Sequence, residues 1–104
     1  MLFRSVNVAS LLGKVGMATY ATYCATKFGV VGFTEALADE LAATAIGVWA
    51  VCPGQVDTAM ARVAGVSPGE RRGLIRPASV ARVIVGLATG RRREGSGAAV
   101  DVTS

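Results

Sequence analysis

Tyr23 and Lys27 are four residues apart, and their side chains are of types that can do chemistry together. In a helix, residues at i and i+4 lie one above the other, so this spacing brings a phenol and an ammonium into one site. A free phenol ionises near a pH of about 10, and a neighbouring cation favours the phenolate, which suits general acid/base catalysis nearer neutral pH. Ser10, thirteen residues before Tyr23, can donate a hydrogen bond to the same substrate oxygen while charge moves on or off it.

A strand before Ser10 and a helix after it must position these side chains. Residues 3–9 are typical of a short buried strand, which places Ser10 at the carboxyl end of a strand, where ligands bind in open α/β sheets. Gly13 and Gly16 mark the loop that follows. A loop serine can also bond its own backbone, and Ser10 alone does not separate the two roles.

One long helix is predicted from about residue 20 to residue 45. The stretch has no proline, and apolar residues recur at a helical period. Gly47 fits the left-handed residue that commonly closes a helix. The small residues Ala25, Gly29 and Gly32 would let this helix lie close to the sheet or to another helix, and internal packing explains them equally well.

A second strand is predicted at residues 48–52, where the run is apolar throughout, as expected for a parallel strand covered on both faces. It ends in Pro53-Gly54, where proline ends the ladder and glycine allows the backbone to approach a flat ligand closely. The alternative is an ordinary strand-ending turn in which Asp57 or Thr58 caps a short helix.

The last third of the chain predicts a capped turn, a helix and a strand. Ser67-Pro68-Gly69-Glu70 has a capping-box pattern with proline at the first helical position. Residues 78–89 form an amphipathic helix that Gly90 closes. Residues 98–102 are the predicted last strand.

Composition indicates one small globular domain and excludes several classes of function. The chain has 104 residues, 52% of them apolar, with two cysteines and no histidine, so neither a disulfide framework nor a metal site is expected. No apolar run is long enough for a membrane span, no secretory signal is recognisable, and a cytoplasmic location is expected. The net charge is +4, but the one basic cluster, Arg91-Arg92-Arg93, has no interleaved aromatics, so nucleic-acid binding is not expected.

Three runs together resemble the C-terminal half of a short-chain dehydrogenase/reductase. They are Val6–Gly13, Tyr23–Gly29 and Cys52–Thr58, in this order. The resemblance implies an α/β fold over residues 1–104, namely a partial Rossmann-like, doubly wound parallel sheet made of the last three strands and their helices. It also implies an oxidoreductase that transfers hydride between NAD or NADP and a small carbonyl or alcohol substrate, as a dimer or tetramer with contacts through the long helix.

The resemblance further implies a role for each candidate residue. Tyr23 would be the acid/base, Lys27 would stabilise its phenolate and bond the cofactor ribose, and Ser10 would orient the substrate oxygen. Residues implied in cofactor binding are Tyr23, Lys27, Pro53, Gly54, Val56 and Thr58.

Residues 59–75 match the variable substrate loop of this family. Met60, Val63 and Val66 would either meet an apolar substrate or pack beneath the loop, and the sequence leaves both open.

The sequence lacks the glycine-rich turn of a dinucleotide-binding half, with an acidic residue about 20 positions further on. We therefore expect the N-terminal half to be absent, through a truncated gene or gene model, and the isolated chain to be inactive. A second hypothesis is a non-catalytic interaction protein that pairs with another chain through the long helix or an exposed sheet edge.

Overall fold

The fold is a three-stranded parallel sheet with helices on both faces, described by a computed structural model for residues 3–60, 65 and 67–104. The strands are β1 Phe3–Val8, β2 Ile46–Pro53 and β3 Ala99–Val102. The helices are α1 Ala21–Glu40, α2 Pro68–Arg71 and α3 Pro77–Thr89, and a 3-10 turn covers Leu11–Gly13. The α/β class, the parallel pairing and the central place of the second strand are confirmed.

The central strand β2 pairs with β1 on one side and with β3 on the other. The register with β1 runs from Phe3↔Ile46 to Val8↔Val51, and the register with β3 runs from Ala50↔Ala99 to Pro53↔Val102. Every residue of β2 after Ile46 is buried. This burial explains why the strand is apolar throughout rather than alternating.

The two faces of the sheet are covered by different helices. On one face, the Asn7 side-chain amide donates to the Thr34 hydroxyl of α1 at 3.0 Å. On the other, Trp49 and Val51 share a buried cluster with Leu87 of α3. Each such buried side chain contributes roughly 1.5–3 kcal/mol to the free energy of folding. The sheet is therefore doubly wound, as the resemblance implied.

Arg4 connects β1 to the last turn of α3. The Arg4 guanidinium carbon lies 5.2 Å from the centroid of the Trp49 ring, and Nη1 donates to the Leu87 carbonyl at 3.1 Å. That carbonyl belongs to the last turn of α3, where it also accepts from the Gly90 amide at 3.3 Å. Arg4 thus caps α3 and covers the face of the indole.

The long helix ends earlier than the sequence predicts. It stops at Glu40 rather than near Ala45, and the prediction that Gly47 closes it is wrong, because Gly47 lies inside β2. Thr44 accounts for the difference: its hydroxyl donates to the Leu41 carbonyl at 2.7 Å and accepts from the Ile46 amide at 3.2 Å. A threonine that bonds its neighbouring backbone in this way competes with the helix.

The predicted ends of the two later helices are confirmed. The Ser67 hydroxyl accepts from the Glu70 amide at 3.2 Å, and the Glu70 carboxylate accepts from the Ser67 amide at 2.7 Å. The hydrogen bond that the carboxylate accepts from the Ser67 amide, and after it the interaction with the Ser67 side chain, lower the pKa of the Glu70 carboxyl. Gly90 ends α3 with a left-handed φ of 77°.

We predict that Gly90→Ala lowers the free energy of unfolding by about 1–2 kcal/mol, because a Cβ is costly in the left-handed region. Gly95→Ala is the matched control, since its φ lies outside that region and no described atom lies within 4 Å of the added Cβ. Urea unfolding followed by the fluorescence of Trp49, the single tryptophan, measures both. Equal midpoints for the two variants would contradict the prediction.

Candidate active site

Tyr23 and Lys27 lie in the first turns of α1, next to the end of β1. The Lys27 Nζ atom is 5.6 Å from the centroid of the Tyr23 ring and donates to the Val8 carbonyl at 3.4 Å. Tyr23 is 44% exposed, so a ligand can reach its ring. The helix therefore brings the phenol and the ammonium together at the carboxyl end of a strand.

A strained turn sets where α1 begins. Thr19 has a φ of 71°, which is rare for a β-branched residue. The turn is closed by a hydrogen bond from the Tyr20 amide to the Met17 carbonyl at 3.2 Å, and the Cys24 amide then donates to the Tyr20 carbonyl at 2.7 Å. The start of the helix fixes which face Tyr23 occupies, and no sequence pattern pointed to this turn.

Ser10 is the residue that caps the 3-10 turn after β1. Its hydroxyl oxygen accepts from the Leu12 amide at 3.2 Å, so the ordinary role considered for a loop serine is present. A hydroxyl that accepts through a lone pair keeps its proton to donate. The capping bond therefore fixes the side chain of Ser10 without using its donor.

The Ser10 turn is pressed against α1 at Gly13. A Cβ on Gly13 would lie 2.9 Å from the Lys27 carbonyl oxygen and 2.9 Å from Cγ2 of Val31. Only glycine permits so close an approach of the loop to the helix. The contact ties the segment that carries Ser10 to the helical turn that carries Lys27.

The Pro53-Gly54 turn lies at the same edge of the sheet as Ser10. The Gly54 amide donates to the Val102 carbonyl at 3.0 Å. A Cβ on Gly54 would lie 3.1 Å from Cδ1 of Ile75 and 3.4 Å from Cδ1 of Leu11, the residue after Ser10. Since parallel strands end at one edge, β1 and β2 bring these two segments together.

Cys52 links the ends of the two strands but is not a candidate nucleophile. It is fully buried, and its burial raises the pKa of the thiol, an effect that Lys14 and the Ser10 backbone oppose in part. A buried neutral thiol packs as a small apolar group. Cys52 therefore belongs to the framework of the site.

The segment after Gly54 is bound to residues much later in the chain. Val56 forms a parallel bridge with Ile75, and the Asp57 carboxylate accepts two hydrogen bonds from the Arg71 guanidinium, at 3.0 and 3.3 Å. The sequence had suggested that Asp57 or Thr58 caps a helix, and gave no sign of the partnership with Arg71. Thr58 is half-buried at the end of this segment.

The loop after Ser10 is held by an ion pair between Lys14 and Asp101. The sequence did not indicate this pair. The Lys14 Nζ atom lies 2.8 Å from an Asp101 carboxylate oxygen and donates to the Ala99 carbonyl at 2.7 Å. Both partners belong to β3. The loop is thereby held across the carboxyl edge of the sheet.

The predicted substrate-loop residues are only partly within the described structure. Val63 and Val66 lie outside the described residues. Met60 is 81% exposed, so it does not pack beneath the loop.

A groove in the described structure does not coincide with the candidate residues. It has a volume of about 810 Å³ and lies along the C-terminal half of α1, between residues such as Glu35, Asp39 and Ser96. Within residues 3–60, 65 and 67–104, no three metal-binding side chains cluster, and no helix is long and apolar enough to span a membrane.

Comparison with known proteins identifies the family. The model of the family described as short chain dehydrogenase matches residues 4–67, which include the segments of Ser10, Tyr23 and Gly54. This chain belongs to the short chain dehydrogenase family. The family resemblance seen in the sequence is thus confirmed.

The short chain dehydrogenase is similar to curated and solved ketoacyl reductases. It is 59% identical over 59 residues to the "Monensin polyketide synthase putative ketoacyl reductase" of Streptomyces virginiae, covering 57% of this chain and 23% of that protein. A 3-oxoacyl-[acyl-carrier protein] reductase from Brucella melitensis with bound NAD has a TM-score of 0.75 and 35% identity, covering 95% of this chain and 38% of that one. An actinorhodin polyketide ketoreductase with NADPH has a TM-score of 0.80 and 37% identity, covering 95% and 45%. The chain therefore spans less than half of each of these relatives.

We predict that Gly13→Ala destabilises this short chain dehydrogenase by about 1–3 kcal/mol, because the new methyl group overpacks the contact with α1. Gly16→Ala in the same loop is the control, since no described atom lies within 4 Å of its added Cβ and a change below about 0.5 kcal/mol is expected. Urea unfolding followed by Trp49 fluorescence compares them. If Gly13→Ala is as stable as Gly16→Ala, the loop is not pressed against the helix.

Proposed function

We propose that this chain forms part of an NAD(P)-dependent oxidoreductase that transfers hydride between a nicotinamide cofactor and a small carbonyl or alcohol substrate. The observation that carries the proposal is the position of the Tyr23–Lys27 pair, at the sheet edge that also holds Ser10 and Gly54. Two relatives whose names describe reductases of ketoacyl or oxoacyl groups support the substrate class.

In the reducing direction, Tyr23 donates its phenolic proton to the carbonyl oxygen. Lys27, whose Nζ atom lies 5.6 Å from the centroid of the ring, supplies a cation beside the tyrosine. Ser10 donates a hydrogen bond to the same oxygen, which stabilises the charge that develops there before the proton arrives. In the oxidising direction the same groups act in reverse.

The turn after β2 fits the flat end of the cofactor. Gly54 has no side chain to cover its backbone at the sheet edge, and Ile75 and Leu11 already fill the space where a Cβ would stand. The residues proposed to hold the nicotinamide end are Pro53, Gly54, Val56 and Thr58, with Lys27 and Tyr23 at the ribose. When bound, the nicotinamide supplies or accepts the hydride. Solved relatives hold NAD in one case and NADPH in another, so either cofactor suits the proposal.

We also propose that the chain corresponds to the C-terminal part of the family's domain, with the pyrophosphate-binding half outside these 104 residues. The order of the three motifs and the 38–45% coverage of the two solved relatives support this. The proposal extends to self-association through α1. No described atom lies within 4 Å of a Cβ added to Gly29 or Gly32, and Phe33 beside them is 59% exposed, so internal packing does not use this face.

The second candidate function is a non-catalytic interaction protein. The same exposed face of α1 favours it, as does β1, which is the outer strand of the described sheet and carries the exposed Phe3 and Val8. An open strand edge is a template for pairing with another chain. Turnover distinguishes the two functions, whereas association alone does not.

The first test replaces the matching part of the Streptomyces virginiae ketoacyl reductase with this chain and assays reduction of a small β-keto thioester. Tyr23→Phe in this chimera should lower kcat by about 10²–10⁴-fold, because only the proton donor is removed, while NADPH affinity is retained. Tyr20→Phe is the matched control, since its ring lies 6.2 Å from that of Tyr23. Near-normal turnover in Tyr23→Phe would mean that Tyr23 is structural.

The second test uses the 104-residue chain by itself. We predict no reductase turnover and no micromolar affinity for NADH or NADPH, because the pyrophosphate and half of the nicotinamide site would be held by residues outside it. Cofactor fluorescence titration measures affinity, and analytical ultracentrifugation measures the mass in solution. Micromolar affinity together with turnover would show that the 104 residues contain a complete active site.

A further inference from the structure

The feature that the proposed mechanism leaves unexplained is the ion pair beneath the turn after β2. The Arg71 Nε atom lies 3.0 Å from Oδ1 of Asp57, and Nη2 lies 3.3 Å from Oδ2. The guanidinium and the carboxylate therefore form a bidentate ion pair with two hydrogen bonds. A paired arrangement of this kind fixes orientation as well as distance, which a lysine cannot do. The pair therefore holds Asp57 in one orientation.

The backbone from Gln55 to Asp57 is held by the same distant part of the chain. The Asp57 amide donates to the Ile75 carbonyl at 2.8 Å, and the Ile75 amide donates to the Gln55 carbonyl at 2.9 Å. Together with the Arg71 side chain, these bonds restrain three consecutive residues of the turn. The residue on each side of Asp57, Val56 and Thr58, belongs to the proposed nicotinamide site.

Arg71 is itself placed by a capped helical turn. It is the last residue of α2, its amide donates to the Ser67 carbonyl at 3.0 Å, and the capping box between Ser67 and Glu70 closes the start of the same helix. The hydrogen bond with Asp57 raises the pKa of the Arg71 guanidinium, so the cation persists over the whole working range of pH. Side-chain exposures of 33% for Arg71 and 25% for Asp57 distinguish this pair from a fully solvated one.

We propose that Arg71 and Asp57 form a positioning pair that holds residues 54–58 in the conformation that receives the nicotinamide end of the cofactor. The identity of the ligand rests on the proposed function, whereas the restraint of the turn rests on the geometry alone. Neither residue touches the reacting atoms in this inference. Their effect is to keep Val56 and Thr58 at the sheet edge opposite Lys27, so that binding does not have to order the turn.

The test compares Arg71→Lys and Asp57→Asn with Arg72→Lys in the 104-residue chain. Arg71→Lys keeps the charge and removes the paired geometry, and Arg72→Lys makes the same change one residue later, where the side chain is exposed. Amide hydrogen exchange should become at least tenfold faster at Asp57 and Ile75 in the first two variants and stay unchanged in the control. The amides of Trp49 and Val100, in the core, should not change in any variant, which separates local loosening from unfolding.

The second readout is a nuclear magnetic resonance titration of the chimera with the Streptomyces virginiae ketoacyl reductase, using reduced nicotinamide mononucleotide at millimolar concentrations and adenosine monophosphate as the negative control. The nicotinamide probe should shift the amides of residues 54–58 in the unmodified chimera and in its Arg72→Lys variant. Its apparent affinity should fall at least threefold in Arg71→Lys and Asp57→Asn.

The outcomes separate the inference from the proposed function. Unchanged exchange at Asp57 and Ile75 would overturn the pair as a restraint, and faster exchange with unchanged probe affinity would overturn its positioning role. No shift of residues 54–58 in the unmodified chimera would overturn the cofactor assignment, and the positioning role with it. Faster exchange together with weaker probe binding, both absent in Arg72→Lys, is the result that the inference expects.

Discussion

The rest of the structure depends on the burial of β2 between two strands and two helices. Its backbone hydrogen-bonds on both edges, and its side chains alternate between a face covered by α1 and a face covered by α3. Because every neighbour is positioned against this one strand, the ends of β1 and β2 are fixed relative to each other. Ser10 and the Pro53-Gly54 turn follow those ends, so the candidate site inherits its geometry from the most buried part of the chain.

The two covering helices are attached by different kinds of contact. The α3 face is apolar, built around Trp49 and Leu87. The α1 face includes a buried threonine, Thr34, whose hydroxyl donates to the Val30 carbonyl at 2.8 Å and accepts from Asn7 at 3.0 Å. Apolar burial tolerates small shifts, whereas a hydrogen bond between buried groups fixes the helix in direction and rotation. A fixed rotation of α1 is what a site built on Tyr23 and Lys27 needs.

The sequence predicts secondary structure that depends on neighbouring residues, and it does not predict contacts between residues far apart in the chain. The apolar run of β2, the Ser67 capping box and Gly90 each act through their immediate neighbours, and each predicted its element within two residues. The predicted end of α1 is wrong, because helix propensity favours the alanines after Glu40, whereas Thr44 forms hydrogen bonds with its neighbouring backbone. Likewise, Arg71 is 14 residues from Asp57, a separation that carries no periodic signal.

The outward face of α1 is compatible with both proposed roles of the chain, and the other end of the helix is not. A helix with apolar residues on both sides is ordinarily covered on both sides, yet here Phe28 and Phe33 are 46% and 59% exposed on the side away from the sheet. A catalytic subunit and a non-catalytic partner would both cover this face, so its hydrophobicity does not distinguish the two proposed roles. The two roles differ at the other end of the helix, where Lys27 is directed at the last carbonyl of β1 beside an exposed phenol. An interaction surface has no need of a cation held at that place, whereas the proposed proton transfer from Tyr23 would use one.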